Sequence, residues 1–240
     1  DDEITGGKGD DIITGGEGDD IIAGGEGVDT INVDKGTDTI SDLGGTSGGE
    51  SDILVVSKDA IAKATVKVSF TATSDTKNDA ANAVDKAIIS TDADGATIDM
   101  SSAVGVYTLT GGDGVDKLTG SAGADTINAG KGDDEITIAA AGKGDTDVMD
   151  GGDGTGDVLK LSTGKHTFAD DTKFKNIEKI ETDASGSEVV LTAQKEALEI
   201  TGGDGVDKIT GGEGVDTINA GKGDDEITIA AAGKGDTDVM

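Results

Sequence analysis

Gly6-Gly7-Lys8-Gly9-Asp10-Asp11-Ile12-Ile13-Thr14 runs straight into Gly15-Gly16-Glu17-Gly18-Asp19-Asp20-Ile21-Ile22-Ala23, and this pair of nonapeptides decides the fold. Each nine-residue unit spends its glycines first, then an aspartate, then an aliphatic residue two places on. Glycine tolerates backbone angles closed to residues with a Cβ, so such a segment turns tightly with its carbonyls facing inward. The last three residues read as a short strand. In Lys117-Leu118-Thr119, alternation sends Leu118 to one face and its two neighbours to the other, burying one aliphatic side chain per unit. Two turns and two strands then close one coil of about eighteen residues, and successive coils stack their strands in parallel about 4.8 Å apart.

Full motifs comprise Gly6, Gly7 and Gly9; Gly15, Gly16 and Gly18; Gly24, Gly25 and Gly27; Gly111, Gly112 and Gly114; Gly202, Gly203 and Gly205; and Gly211, Gly212 and Gly214. Variants are Gly120 and Gly123 around Ser121, and the Ala129 and Ala220 units, which keep Gly132 and Gly223. Counting by nine gives three aliphatic ladders: Ile4, Ile13, Ile22, Ile31, Ile40; Met100, Leu109, Leu118, Ile127, Ile136; and Leu191, Ile200, Ile209, Ile218, Ile227. Met100 and Leu191 extend the coil into stretches without glycine turns. The expected architecture is all-β, a parallel β-roll or β-helix with short irregular inserts.

A longer period overlies this one, because Asp125 to Met149 recurs unchanged as Asp216 to Met240. Tandem copies of this kind characterise arrays whose units bury their faces only against neighbours. The divisions expected are repeat blocks at 1–41, 109–161 and 201–240, a connector with a β-rich insert at 42–108, and a connector at 162–200. Within the insert, Thr65-Val66-Lys67-Val68-Ser69-Phe70 alternates as a half-buried strand does, and Asn78 to Ala87 suits a short helix. The chain opens inside one motif and stops inside another, so it reads as an excerpt of a longer protein.

Apolar residues are 33% of the chain, with three Phe, one Tyr and no Trp, which is too little for a thick conventional core. Fifty acidic against nineteen basic residues leave a formal charge of -31. Low hydrophobicity with that charge describes a disordered polymer, unless a cation binds the carboxylates and supplies the missing folding energy. The charge argues against nucleic acid as a partner, since phosphates are repelled. No apolar run approaches the roughly 18 residues of a membrane span, so no direct membrane insertion is expected. Without cysteine, oxygen ligands are what remain for a metal. Stacked aspartates separated by one coil repel unless a cation lies between them. Calcium suits such a site, because it takes six to eight carboxylate and carbonyl oxygens at about 2.3 to 2.6 Å, whereas magnesium demands a tighter octahedron.

The recurring motif resembles that of the RTX (repeats-in-toxin) family of secreted bacterial proteins. The resemblance implies that Asp11, Asp20, Asp29, Asp38, Asp116, Asp125, Asp134, Asp207, Asp216 and Asp225 supply carboxylates to calcium, and that the glycine turns supply carbonyls. Asp38 follows a unit that keeps only Gly36; Asp147, Asp157 and Asp238 follow units with one extra residue and depart from the pattern. About ten ions would take the charge from -31 to roughly -11. The connector Phe174-Lys175-Asn176-Ile177-Glu178-Lys179-Ile180 also resembles segments between repeat blocks in surface-layer and other large RTX proteins.

Competing chemistry has little footing. His166 is the sole histidine and reads as an ordinary loop residue, so a zinc hydrolase or a serine triad lacks its parts. A glycosidase carboxylate pair would lack aromatic sugar platforms. Phe70, Tyr107, Phe168 and Phe174 read as fillers or caps of the coil, and Lys8, Lys131 and Lys222 as relief of local acidic repulsion. An acidic linker is disfavoured by the in-register aliphatics. The expected function is that of a non-enzymatic structural segment of an extracellular bacterial surface protein, which folds on calcium and self-associates into a lattice or fibre. The alternatives are an extender within a large adhesin and the calcium-folded secretion tail of a toxin or enzyme.

Overall fold

The computed structural model describes residues 1–44, 51–79, 87–92, 94–138, 146–168 and 171–229. Every strand pairing among them is parallel, and no α-helix occurs among the described residues. The chain is a β-solenoid of about ten turns. Its rungs follow the aliphatic beat. One sheet carries Ile4, Ile22, Ile40, Ala64, Ile89, Leu109, Ile127, Met149 and Phe174 in register. A second carries Phe70, Ile98, Leu118, Ile136, Leu159, Ile180, Ile200 and Ile218. A third carries His166, Val189, Ile209 and Ile227. Ile13, Ile31 and Leu54 stack on a further face of the first coils.

Partners lie eighteen residues apart where two intact motifs form a coil, as in Ile4 with Ile22 or Leu118 with Ile136. Elsewhere the coil is longer and gains a side. The strand Ile53–Val66 passes from the Leu54 face to the Ala64 face without a break, and Ser69–Thr71 then opens the second sheet. A third side also appears where Gly164–Thr167 enters between Leu159 and Phe174. The predicted alternation at 65–70 is interrupted by a bend at Lys67 and Val68: Val66 and Phe70 are buried, while Val68 is exposed. Of the helix expected from Asn78 to Ala87, both ends are strand residues, and residues 80–86 lie outside the described residues.

Two ladder members need correcting. The rungs facing Leu118 and Ile209 are Ile98 and Val189, two residues ahead of Met100 and Leu191. Without glycines to mark these turns, counting by nine overshoots. Met100 and Leu191 are still fully buried, because a shift of two keeps a side chain on the same face.

Candidate metal centre

Each motif aspartate stands two residues before an inward rung, so alternation turns its carboxylate to the inside of the coil, at the mouth of a turn. Burial agrees: Asp20, Asp29, Asp38, Asp116, Asp125, Asp134, Asp207 and Asp216 are at most 2% exposed. One carboxylate oxygen of each ties its coil to the one before. The Asp11 N–H donates to Asp29 Oδ1 at 2.9 Å, Asp20 N–H to Asp38 at 3.1 Å, Asp116 N–H to Asp134 at 2.8 Å and Asp207 N–H to Asp225 at 2.9 Å. The result is columns of stacked acids running along the solenoid.

The columns admit members that the motif alone does not name. Asp147 and Asp157, which depart from the pattern, accept from Asp125 N–H and Asp134 N–H at 2.8 Å each. At Asp157 the extra residue of the 151–156 turn does not displace the carboxylate; the turn before Asp147 lies outside the described residues. Asp52 accepts from Asp29 N–H, and Glu178 from Asp157 N–H. Both were detectable in the sequence, since Asp52-Ile53-Leu54 and Glu178-Lys179-Ile180 place an acid two residues ahead of a buried aliphatic, as the motif does. Asp238 lies outside the described residues.

The second oxygen carries the chemistry. Asp11, Asp20, Asp29, Asp38, Asp134 and Asp157 each bury an Oδ2 that no hydrogen-bond donor reaches. An unpartnered buried carboxylate oxygen costs more than a lost neutral hydrogen bond. The first glycine of the turn lies against this oxygen: a Cβ at Gly15 would come within 2.6 Å of Asp20 Oδ2 and 3.0 Å of Asp38 Oδ2. One at Gly6 would meet Asp11 Oδ2 at 2.7 Å and the Gly24 carbonyl at 2.5 Å. Glycine thus keeps clear a space that two stacked carboxylates face at Gly15, and one that a carboxylate and a main-chain carbonyl face at Gly6.

Burial pushes the carboxyls of Asp38, Asp52, Asp125 and Asp157 above the ordinary range, and that of Asp134 to about 6. At Asp134 the neighbouring Asp157, Asp116 and Asp133 charges add to the rise. These carboxylates are short of positive charge. A divalent cation fits what is missing, and the donors are all oxygen. Among the described residues, no three acidic or histidine side chains converge on one point. A cation here would draw on main-chain carbonyls beside the carboxylates, which suits calcium better than zinc. The carboxylates of Asp116, Asp125, Asp207 and Asp216 are arranged otherwise, each Oδ2 accepting an N–H from its own turn.

The other side chains read from the sequence are accounted for by packing. His166 is a buried strand residue, not a loop one; its Nε2 lies 2.9 Å from the Ser162 carbonyl. Phe70, Tyr107 and Phe174 are fully buried, and Phe168 packs on Phe174 with ring centroids 5.5 Å apart. All four fill the coil. Lys8, Lys131 and Lys222 pair across one coil with Glu26, Asp113 and Asp204. These pairs are exposed, so Lys131→Ala is expected to lower stability by under about 1 kcal/mol in a denaturant titration. A larger loss would mean that the pair, not the buried column, holds adjacent turns together.

Residues 1–31, 108–137 and 199–228 match the family model described as RTX calcium-binding nonapeptide repeat (4 copies). No curated protein and no solved structure matches the chain. The three matched stretches carry the full glycine motifs, Asp38, Asp52, Asp147, Asp157 and Glu178 continue the columns beyond them, and in the matched stretches the chain is built of RTX calcium-binding nonapeptide repeats.

Proposed function

We propose that this chain is a calcium-folded structural segment of a secreted bacterial cell-surface protein, a rod that stiffens outside the cell and associates with its own kind into a lattice or fibre. The observation that carries the reading is the set of buried Oδ2 atoms at Asp11, Asp20, Asp29 and Asp38, which no hydrogen-bond donor reaches and whose carboxylates stack coil upon coil. At -31, with only one aliphatic rung per turn, the bare chain is poorly held. Calcium relieves the repulsion and supplies folding energy at once, as in metal-dependent domains where binding free energy is folding free energy. Extracellular calcium modules work at about 10⁻⁴ to 10⁻³ M, well above cytosolic calcium, so the chain folds only after export. The repeated 125–149 and 216–240 segments favour an extended array over a single-block secretion tail.

The test is a calcium titration of the 240-residue chain followed by circular dichroism and light scattering together, with magnesium as control. A change from disordered to β-rich with calcium alone, followed by growth of ordered particles, is the expected result. Folding into a lasting monomer would shift the assignment to an adhesin extender or secretion tail. A β-rich spectrum in chelator, unchanged by calcium, would remove the calcium-folding reading.

A further inference from the structure

The motif turns adopt two conformations, although one sequence pattern encodes them. In the turns ending at Asp11, Asp20, Asp29, Asp134 and Asp225, the second and fourth residues are glycines with positive φ, for example +110° at Gly25 and +131° at Gly27. In the turns ending at Asp116, Asp125, Asp207 and Asp216, no residue from the first to the fourth position has positive φ. There the N–H of the second residue turns inward and donates to the Oδ2 of its own aspartate, at 2.9 Å from Gly112, 2.6 Å from Ser121, 3.0 Å from Gly203 and 2.9 Å from Gly212.

Ser121 supports the distinction independently. A side chain at the second position suits only the conformation with negative φ, and Ser121 uses its hydroxyl as a further donor to Asp125 Oδ2 at 2.9 Å. With Tyr107 N–H on Oδ1 at 2.8 Å, that buried carboxylate has donors on both oxygens before any ion arrives. We infer that calcium is held on the open turns, shared between stacked pairs such as Asp11 with Asp29, Asp20 with Asp38 and Asp134 with Asp157, while Asp116, Asp125, Asp207 and Asp216 sit in self-capped turns that take none. The inference rests on the calcium reading above.

Sequence explains which turn is which. The self-capped aspartates are the first acids of their columns: the residues whose N–H they accept are Ala96, Tyr107, Ser187 and Leu198. These have no carboxylate, so a self-capped aspartate has no acid of its column on the coil before it. The fifth motif position differs as well. Where it is aspartate, its Oδ1 accepts the N–H of the equivalent residue one coil later: Asp10 from Val28, Asp19 from Thr37 and Asp133 from Thr155. Self-capped turns carry Val115, Ala124, Val206 or Val215 there. A fifth-position aspartate thus anchors its own turn and the next in the open form, which is why the Val28 turn, stacked on Asp10, is open too. The self-capped turns have a donor on each aspartate Oδ2 without metal.

Bound calcium is to be counted by atomic emission after equilibrium dialysis of wild type, Asp29→Asn, Asp125→Asn and Val115→Asp, each checked for a β-rich spectrum. Asp29→Asn is expected to lose at least one equivalent and Asp125→Asn none. Val115 is 62% exposed and offers room for the change to aspartate, whose carboxylate would accept the Asp133 N–H, free Asp116 Oδ2 and add one equivalent. Loss of an equivalent by Asp125→Asn, or no gain by Val115→Asp, overturns the inference and leaves calcium binding by the chain intact. A wild-type chain that binds no calcium overturns the underlying reading instead.

Discussion

Gly25→Val is expected to remove calcium binding by the Asp11 and Asp29 pair and to unwind the first coils. Gly25 holds φ at +110°, where a β-branched residue is strained by about 1–3 kcal/mol even with space around it. It has no such space. A Cβ there runs into the carbonyl and the nitrogen of Gly7, which are backbone atoms of the coil beneath. To admit valine the two turns must part. That breaks the strand pairing of Gly7 with Gly25 and moves Asp29 away from the Asp11 N–H, so strain and loss of the metal site fall on the same contact. The measurement is the calcium concentration at half-folding, followed by circular dichroism, together with the thermal midpoint in saturating calcium. Both should worsen, the first by about tenfold for every 1.4 kcal/mol lost per calcium ion taken up on folding. An unchanged midpoint would mean that the positive-φ glycines are not what sets the turn. Ser121→Ala makes a contrast, since it removes a hydroxyl donor without requiring a new backbone angle and should cost only about 1 kcal/mol.

Glycine turns announce themselves because each occupies a fixed place in nine, and the rungs that follow them, from Ile4 to Ile40 and from Leu109 to Ile136, stack as counted. Where the turn is built from other residues, the count slips, as it did by two at Ile98 and Val189. The third sides at Ser69–Thr71 and Gly164–Thr167 were not legible as such: strands this short gain their place only from a neighbouring coil, which a linear pattern does not display. The acid columns were half legible. Asp11 to Asp38 declared themselves by motif, but Asp52 and Glu178 enter through their distance from the next rung, without glycine. What no family pattern conveys is that Asp29 and Asp125, identical in motif position, differ in what their second oxygen meets.

That difference bears on how the rod is held. Two linked sets of interactions run along it: hydrogen bonds from N–H groups to the carboxylate of the next coil, present in both turn types, and the cation sites proposed for the open type. The third contribution is the rung core, which is one side chain thick. Ile127→Ala tests it. Ile127 is 1% exposed and lies between Leu109 and Met149 in the first sheet, so its truncation leaves a gap that neither neighbour can close without leaving register. The expected loss is about 2–5 kcal/mol. In a globular core such a loss is spread over the whole fold. In a solenoid each coil contacts only the coils above and below, so coupling decays along the axis. Hydrogen exchange in saturating calcium should therefore lose protection first at Thr108–Thr110 and Val148–Asp150, while Lys208–Thr210 and Thr217–Asn219 keep theirs. Equal loss at all four strands would show a single cooperative unit, in which case calcium and core could not be acting coil by coil.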